Sequence, residues 1–291
     1  MRIAYLACAD CLPGATNRRL DAYEHDREVA VLGPAIAALG GEMVEVDWRV
    51  CDPSRFDLAF IRTTWDYVDR QDEFLDFLDL ANKLTKVVND PELIRWNLSK
   101  RYLLSLINGG LPVIPSYFTE VEVRLPYVFD ALSCDELVLK PVIGAGGFGQ
   151  SRVRREDCGD LTMSPGQFAQ PLIPEIETWG EVSMIFIDGQ FCHAVRKVPA
   201  AGEYRIQVIH GGSEVAYVPG AQEIATAQAF IDALQVPALA ARVDLVPHQG
   251  QLLLMELEVI EPHLFPTFGP DLGPRLAAAC ARLIDQTSIN P

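Results

Sequence analysis

No stretch of this chain reaches the roughly 18 apolar residues that a membrane-crossing helix needs, and no block of Lys or Arg could displace counterions from a nucleic-acid backbone. With 24 Lys and Arg against 40 Asp and Glu, the formal charge is −16. That balance argues against nucleic acid, as the lack of a long apolar run argues against a membrane, and it leaves any anionic nucleotide dependent on local cations. Histidine is sparse, five in 291 residues, and none stands in HExxH spacing. The seven cysteines are odd in number and scattered, which does not read as a disulfide framework. Cys8-Ala-Asp-Cys11 is a lone CxxC. Zinc would need a second ligand pair, and a thioredoxin-type motif would open a helix where Leu12-Pro13-Gly14 continues a loop, so these read as reduced structural thiols. Internal repeats and low-complexity segments are missing too. The first residues run into acidic sequence without a signal-peptide pattern, so the expected compartment is the cytoplasm. A small-molecule substrate is the expected partner, with a homo-oligomer also allowed.

What the chain does have is core, with 49% apolar residues, enough for two or three compact units. Residues 3–8, 43–48, 58–61 and 86–88 are short apolar strand candidates, alternating with helical spacing over 26–39 and 71–84. This predicts an open parallel sheet over residues 1–90, with the loops 10–25 and 62–67 at the strand ends where such sheets bind ligands. Asn89-Asp-Pro91 marks a turn and a helix start. A central unit, 91–167, holds strands at 136–140 and 151–154, and a last unit, 168–291, alternates hairpin-like strands with helices at 222–234 and 274–285. The fold class is α/β, or α+β taken overall.

Two motifs carry chemistry. Arg242-Val-Asp-Leu-Val246 and Met255-Glu-Leu-Glu-Val259 place Asp244, Glu256 and Glu258 on two neighbouring strands, with Glu256 and Glu258 on one face. Three hard oxygen donors suit Mg²⁺, although a solvated acidic edge strand would look the same. Gly144-Ala-Gly-Gly-Phe-Gly149 fits GxGxxG, contributing Gly144, Gly146, Gly147 and Gly149. It lies in mid-chain and runs into a strand, which disfavours a dinucleotide fingerprint, and Gln150 stands where a Walker A loop needs Lys. A flap between antiparallel strands remains, covering phosphates with backbone N–H groups while Lys140 at the end of the preceding strand adds positive charge. A solvated strand-end lysine is the alternative.

Taken together, these segments resemble the ATP-grasp superfamily, near its glutathione synthetase and ribosomal-protein glutamate ligase types, over nearly the whole length. The likeness runs through Asn97-Leu-Ser-Lys100, Val138-Leu-Lys-Pro141 with the flap, Gln170-Pro-Leu-Ile173, Gly180-Glu181, Gly202-Glu-Tyr-Arg-Ile-Gln207, Arg242-Val-Asp244 and Glu256-Leu-Glu258. Arg-Thr-Thr-Trp-Asp-Tyr around residue 65, with Glu-Pro at 261–262, resembles a bacterial group that includes the enzyme closing the cycloserine ring. The resemblance implies an ATP-grasp fold with ATP and Mg²⁺ as cofactors, Mn²⁺ being a substitute. Lys100 and Lys140 would hold phosphates, Gln170, Pro171, Leu172 and Ile173 would lie against adenine, and Glu181 would take the ribose hydroxyls, with Glu175 or Glu177 as alternatives. Asp244, Glu256 and Glu258 match metal ligands, where many relatives have Asn at the last position.

Arg205 matches an arginine that steadies the acyl phosphate, a suitable place for a cation because negative charge grows there during transfer. Of the neighbours Arg196 and Lys197, which face opposite ways on a strand, Lys197 is the one assigned to the site. Arg18, Arg19, Arg62 and Trp65 on the N-terminal loops could clasp a small zwitterionic substrate, a surface salt bridge being the alternative for each arginine. The implied function is an ATP-dependent carboxylate–amine ligase, or an intramolecular cyclase, working through an acyl phosphate on an amino-acid-like substrate. A non-catalytic ATP-binding regulator is the alternative.

Overall fold

The structure, a computed structural model, describes residues 1–144, 146–200 and 211–289. Its first part contains β1 (Arg2–Ala7), α1 (Ala22–Ala38), β2 (Glu42–Asp47), β3 (Leu58–Thr63), α2 (Gln71–Leu84) and β4 (Lys86–Val88). The strands form a parallel sheet in the order β2-β1-β3-β4. Ile3 to Ala7 of β1 and all of β3 are buried, as expected for a parallel sheet covered on both faces. Helix α1 starts at Ala22, four residues before the start read from its apolar spacing. Asp21, which precedes it, makes no side-chain cap because Arg19 holds its carboxylate, so the usual capping logic does not mark this helix start.

The middle of the chain forms α3 (Pro91–Leu98), capped by Asp90 on the Glu92 amide, and α4 (Tyr102–Asn108). There follow β5 (Tyr117–Phe118), β6 (Val123–Arg124), α5 (Leu125–Leu132), β7 (Glu136–Pro141), β8 (Ser151–Arg154), β9 (Thr162–Met163) and β10 (Gln167–Pro171). The antiparallel sheet β5-β10-β7-β8 packs on α5 around its own small core of Leu125, Val128, Phe129, Leu137, Leu139 and Ala169.

The last part is α6 (Glu175–Thr178), β11 (Glu181–Ile187), β12 (Gln190–Val198), β13 (Ser213–Tyr217), α7 (Ala221–Asp232), β14 (Ala240–His248), β15 (Gln251–Glu258) and α8 (Leu272–Ile289). Its five-stranded antiparallel sheet has the order β13-β12-β11-β14-β15. Residues from α3, α4 and α7 cover one face, where Leu93, Leu103 and Phe230 meet Val182, Met184 and Val243. On the other face α8 and α1 bring Leu272, Leu276, Leu32 and Ile36 against Ile185, Ile187 and Val195. The N-terminal sheet and the five-stranded sheet therefore share one hydrophobic core. Along β11 that shared face reads Ile187, Ile185, Ser183, Glu181, so alternation carries the strand from core into a polar patch at its N-terminal end. Among the described residues, no helix is long and apolar enough to cross a membrane.

Candidate active site

Strand register builds the polar patch. Asp244 lies opposite Glu256 and Arg242 opposite Glu258 across β14 and β15, while Ser183 faces Asp244 and Glu181 faces Lys197 across β11. Residues two apart share a face of a strand, so four strands deliver these groups to one place.

Cations interleave the carboxylates. Arg242 lies 3.0 Å from Asp244 and 2.6 Å from Glu258. Lys197 lies 2.5 Å from Glu181 and 3.5 Å from Asp244. Lys100, just beyond α3, donates to Glu256 at 2.5 Å, and Ser183 Oγ donates to Asp244 at 2.5 Å. Burial alone would raise the Asp244 carboxyl, but Arg242 and Lys197 outweigh it and bring it down to about 2. At Glu181 burial wins over Lys197 and pushes the carboxyl up to about 7. Burial together with the Glu258 charge drives Glu261 well above the carboxylate range, and it hydrogen-bonds with Glu258 and Tyr67.

The three carboxylates do not gather on one point. Among the described residues, Cys8, Asp10 and Cys11 are the group of three that place donor atoms within 4.8 Å of one another. Arg242 stands between Asp244 and Glu258, and Lys100 draws Glu256 aside. As a donor set, three carboxylate side chains still suit a hard divalent cation.

A cavity of about 770 Å³ opens over this patch. Its opposite wall comes from the central sheet, where β7 and β8 pair antiparallel and the glycine loop joins them. Gly144, Gly146, Gly147 and Gly149 all line the cavity, the last three with φ of 64°, 72° and 71°, a region that favours glycine. Lys140 faces the same space and donates to Gln170 Oε1 at 2.7 Å, and Gln170 in turn donates to Ser116. Burial lowers the Lys140 ammonium below the usual lysine range. Pro171, Leu172 and Ile173 close one end with Ile114, Ile176 and Met255, an apolar recess of the kind that holds a planar base.

The N-terminal sheet supplies the other end from beyond β1 and β3. Arg19, Asp21, Glu24, Trp65 and Tyr67 line it, with Arg19 bidentate to Asp21 and 5.2 Å above the Trp65 ring. Arg18 and Arg62 are not brought to the cavity. Arg18 binds Asp26 and the Cys11 carbonyl on the outer side of its loop. Arg62 is 1% exposed and is held by Glu28 and the Pro262 carbonyl. Lys197 lines the cavity, whereas Arg196 lies over the Trp179 ring. Glu175 pairs with His248 and Glu177 with Arg152, leaving Glu181 in the wall. Arg205 falls outside the described residues.

Sequence reasoning missed the role of Arg242, although it is two residues from Asp244 and so shares its face. It also missed Glu24 and His263, which carry no motif, and gave Glu261 no role although Glu261-Pro262 was part of the resemblance. Among the described residues the cysteines are free, and the buried Cys8 and Cys11 sulfurs lie 3.2 Å apart.

Comparison with known proteins bears on the fold. The family model for the N-terminal domain of D-cycloserine synthetase DcsG matches residues 3–89. The chain is 28% identical over 280 residues to the cycloserine biosynthesis protein DcsG of Streptomyces lavendulae, covering 88% of this chain and 93% of that protein. The crystal structure of D-cycloserine synthetase DcsG superposes with a TM-score of 0.80 at 27% identity, over 98% of this chain and 100% of the other. The ATP-grasp ligase PsnB, in complex with minimal precursor, Mg and ADP, shares the fold with a TM-score of 0.62 at 16% identity, over 96% and 97%. By sequence along most of its length the chain is similar to DcsG, and by fold it is an ATP-grasp protein like that synthetase and the ligase PsnB.

Proposed function

We propose that the chain uses ATP to convert a substrate carboxylate to an acyl phosphate, which an amine then attacks to give an amide or lactam with ADP and phosphate. The observation that carries this reading is the single cavity in which Lys100, Lys140, Lys197 and Arg242 alternate with Asp244, Glu256 and Glu258 beneath a glycine flap. Phosphoryl transfer asks mainly for positioning and charge stabilisation, and these side chains supply both.

In this reading the apolar recess at Pro171 to Ile173 takes the base, and Lys140 and the flap take the phosphates. Asp244, Glu256 and Glu258 would hold Mg²⁺, which neutralises phosphate charge when bound. The cations now paired with these carboxylates are the ones placed to take phosphate oxygens in exchange. A closed flap excludes water that would hydrolyse an acyl phosphate. The substrate is a small amino-acid derivative entering by the Arg19, Trp65 and Tyr67 end, as suits a relative of a cycloserine biosynthesis protein.

An ADP-release screen tests this with both enantiomers of alanine and serine, small peptides, and ureido and aminooxy amino acids. Release that depends on one carboxylate class is the expected result. ATP binding with no release from any of them would instead point to a regulatory ATP-binding protein.

A further inference from the structure

Glu24, in the first turn of α1, lies with its carboxylate 3.3 Å from Nδ1 of His263, which follows β15. Both side chains line the cavity, each less than one-fifth exposed. The phosphate chemistry above uses neither. The pair lines the same cavity as Arg19, Trp65 and Tyr67, within reach of the Arg242 and Lys197 charges, and Phe265 packs edge-on against the imidazole.

An amine nucleophile arrives largely as an ammonium ion and must lose a proton before its lone pair can attack. Resting on the proposed ligase reading, we propose that Glu24, held by His263, accepts that proton, and that the attacking group of the substrate is a basic amine. The step balances. An ammonium N–H breaks and its proton passes to Glu24, the freed lone pair forms the C–N bond, the acyl C–O bond breaks, and the leaving phosphate takes the second N–H proton.

The surroundings suit this role. Burial, the like charges of Glu214 and Asp21, and a weaker opposing pull from Arg242 push the Glu24 carboxyl up to about 7, while Tyr23 also reaches it. Burial and the charges of Arg242, Arg62, Lys197 and Arg27 keep His263 well below its usual range, so it is neutral beside Glu24. A base that titrates near the working pH transfers protons most effectively. The neighbouring Asp21 and Glu214 also favour an incoming cation over an anion.

Hydroxylamine separates the steps, because it is neutral near pH 7 and captures an acyl phosphate as a hydroxamate without needing a base. The screen panel is run with hydroxylamine and with methylamine, comparing wild type, Glu24→Gln and Glu24→Asp. Glu24→Gln is expected to lower amide formation on the order of 10²-fold, while hydroxamate formation falls no more than a few-fold. Wild-type amide formation should fall as pH drops below about 7, where Glu24 gains its proton, a limb absent from Glu24→Gln, and Glu24→Asp should restore part of the rate. Equal loss of both products, or loss of neither, overturns the role of Glu24. No hydroxamate from any carboxylate with the wild type overturns the ligase reading itself.

Discussion

Arg62 is committed to the fold before any substrate arrives. Its guanidinium is 1% exposed, bound to the equally buried Glu28 and to the Pro262 carbonyl. Breaking one side of such a pair leaves an uncompensated buried charge and costs about 3–5 kcal/mol. Arg62→Met should therefore lower unfolding free energy by about that amount, and Arg62→Met with Glu28→Leu should regain most of it, because an apolar replacement of both partners removes the stranded charge. Denaturant titration of the three proteins checks this, and a double variant as unstable as the single would refute it. Nothing in the sequence marks Arg62 as different from Arg19, since the distinction rests on Glu28, which sits 34 positions earlier on a helix. By contrast, the common facing of Glu256 and Glu258 was legible, because period-two alternation needs only the local sequence.

At the scale of elements, Gly180 sets where β11 begins. Its φ is +92°, and a Cβ there would stand 2.0 Å from the Lys197 carbonyl oxygen and 3.2 Å from Val198 Cα. Gly180→Ala must therefore push β12 away at the residue that holds Lys197 beside Glu181. Strained backbone of this kind costs about 1–3 kcal/mol, so the variant should melt lower and turn over more slowly than wild type. A thermal melt and an ADP-release assay on the same sample read both effects, and an unchanged melt would show that β12 yields freely. The bounds of α2 and β4, and the flap between β7 and β8, follow from apolar spacing and glycine placement. The start of α1 does not, because Arg19 takes the carboxylate that would otherwise have served as a visible cap.

For the whole molecule, the division of cores matters most. The sheet β2-β1-β3-β4 and the sheet β13-β12-β11-β14-β15 share one apolar interior through α1 and α8, whereas the flap-bearing sheet packs on α5 around a small interior of its own. Few buried apolar contacts mean low local stability. Hydrogen exchange should therefore reach β7, β8 and β10 earlier than β1, β11 and β14, and ATP with Mg²⁺ should protect the glycine loop and β7 more than β11. Uniform exchange across the three sheets would contradict this. Sequence alternation located the sheets but not this grouping, since which helix covers which face is decided by contacts such as Leu32 and Ile36 with Leu272 and Leu276, more than two hundred residues apart.

That shared interior also limits how parts can be exchanged between relatives. A new specificity could be grafted by replacing residues 12–21, the part of the loop that carries Arg19 and Asp21, because none of them is buried. Transplanting the entire first sheet would instead open a seam where Gly273 presses on the Val31 carbonyl, a contact with no room for even one added carbon. Chimaeras cut at the sheet boundary would thus need α8 to travel with α1.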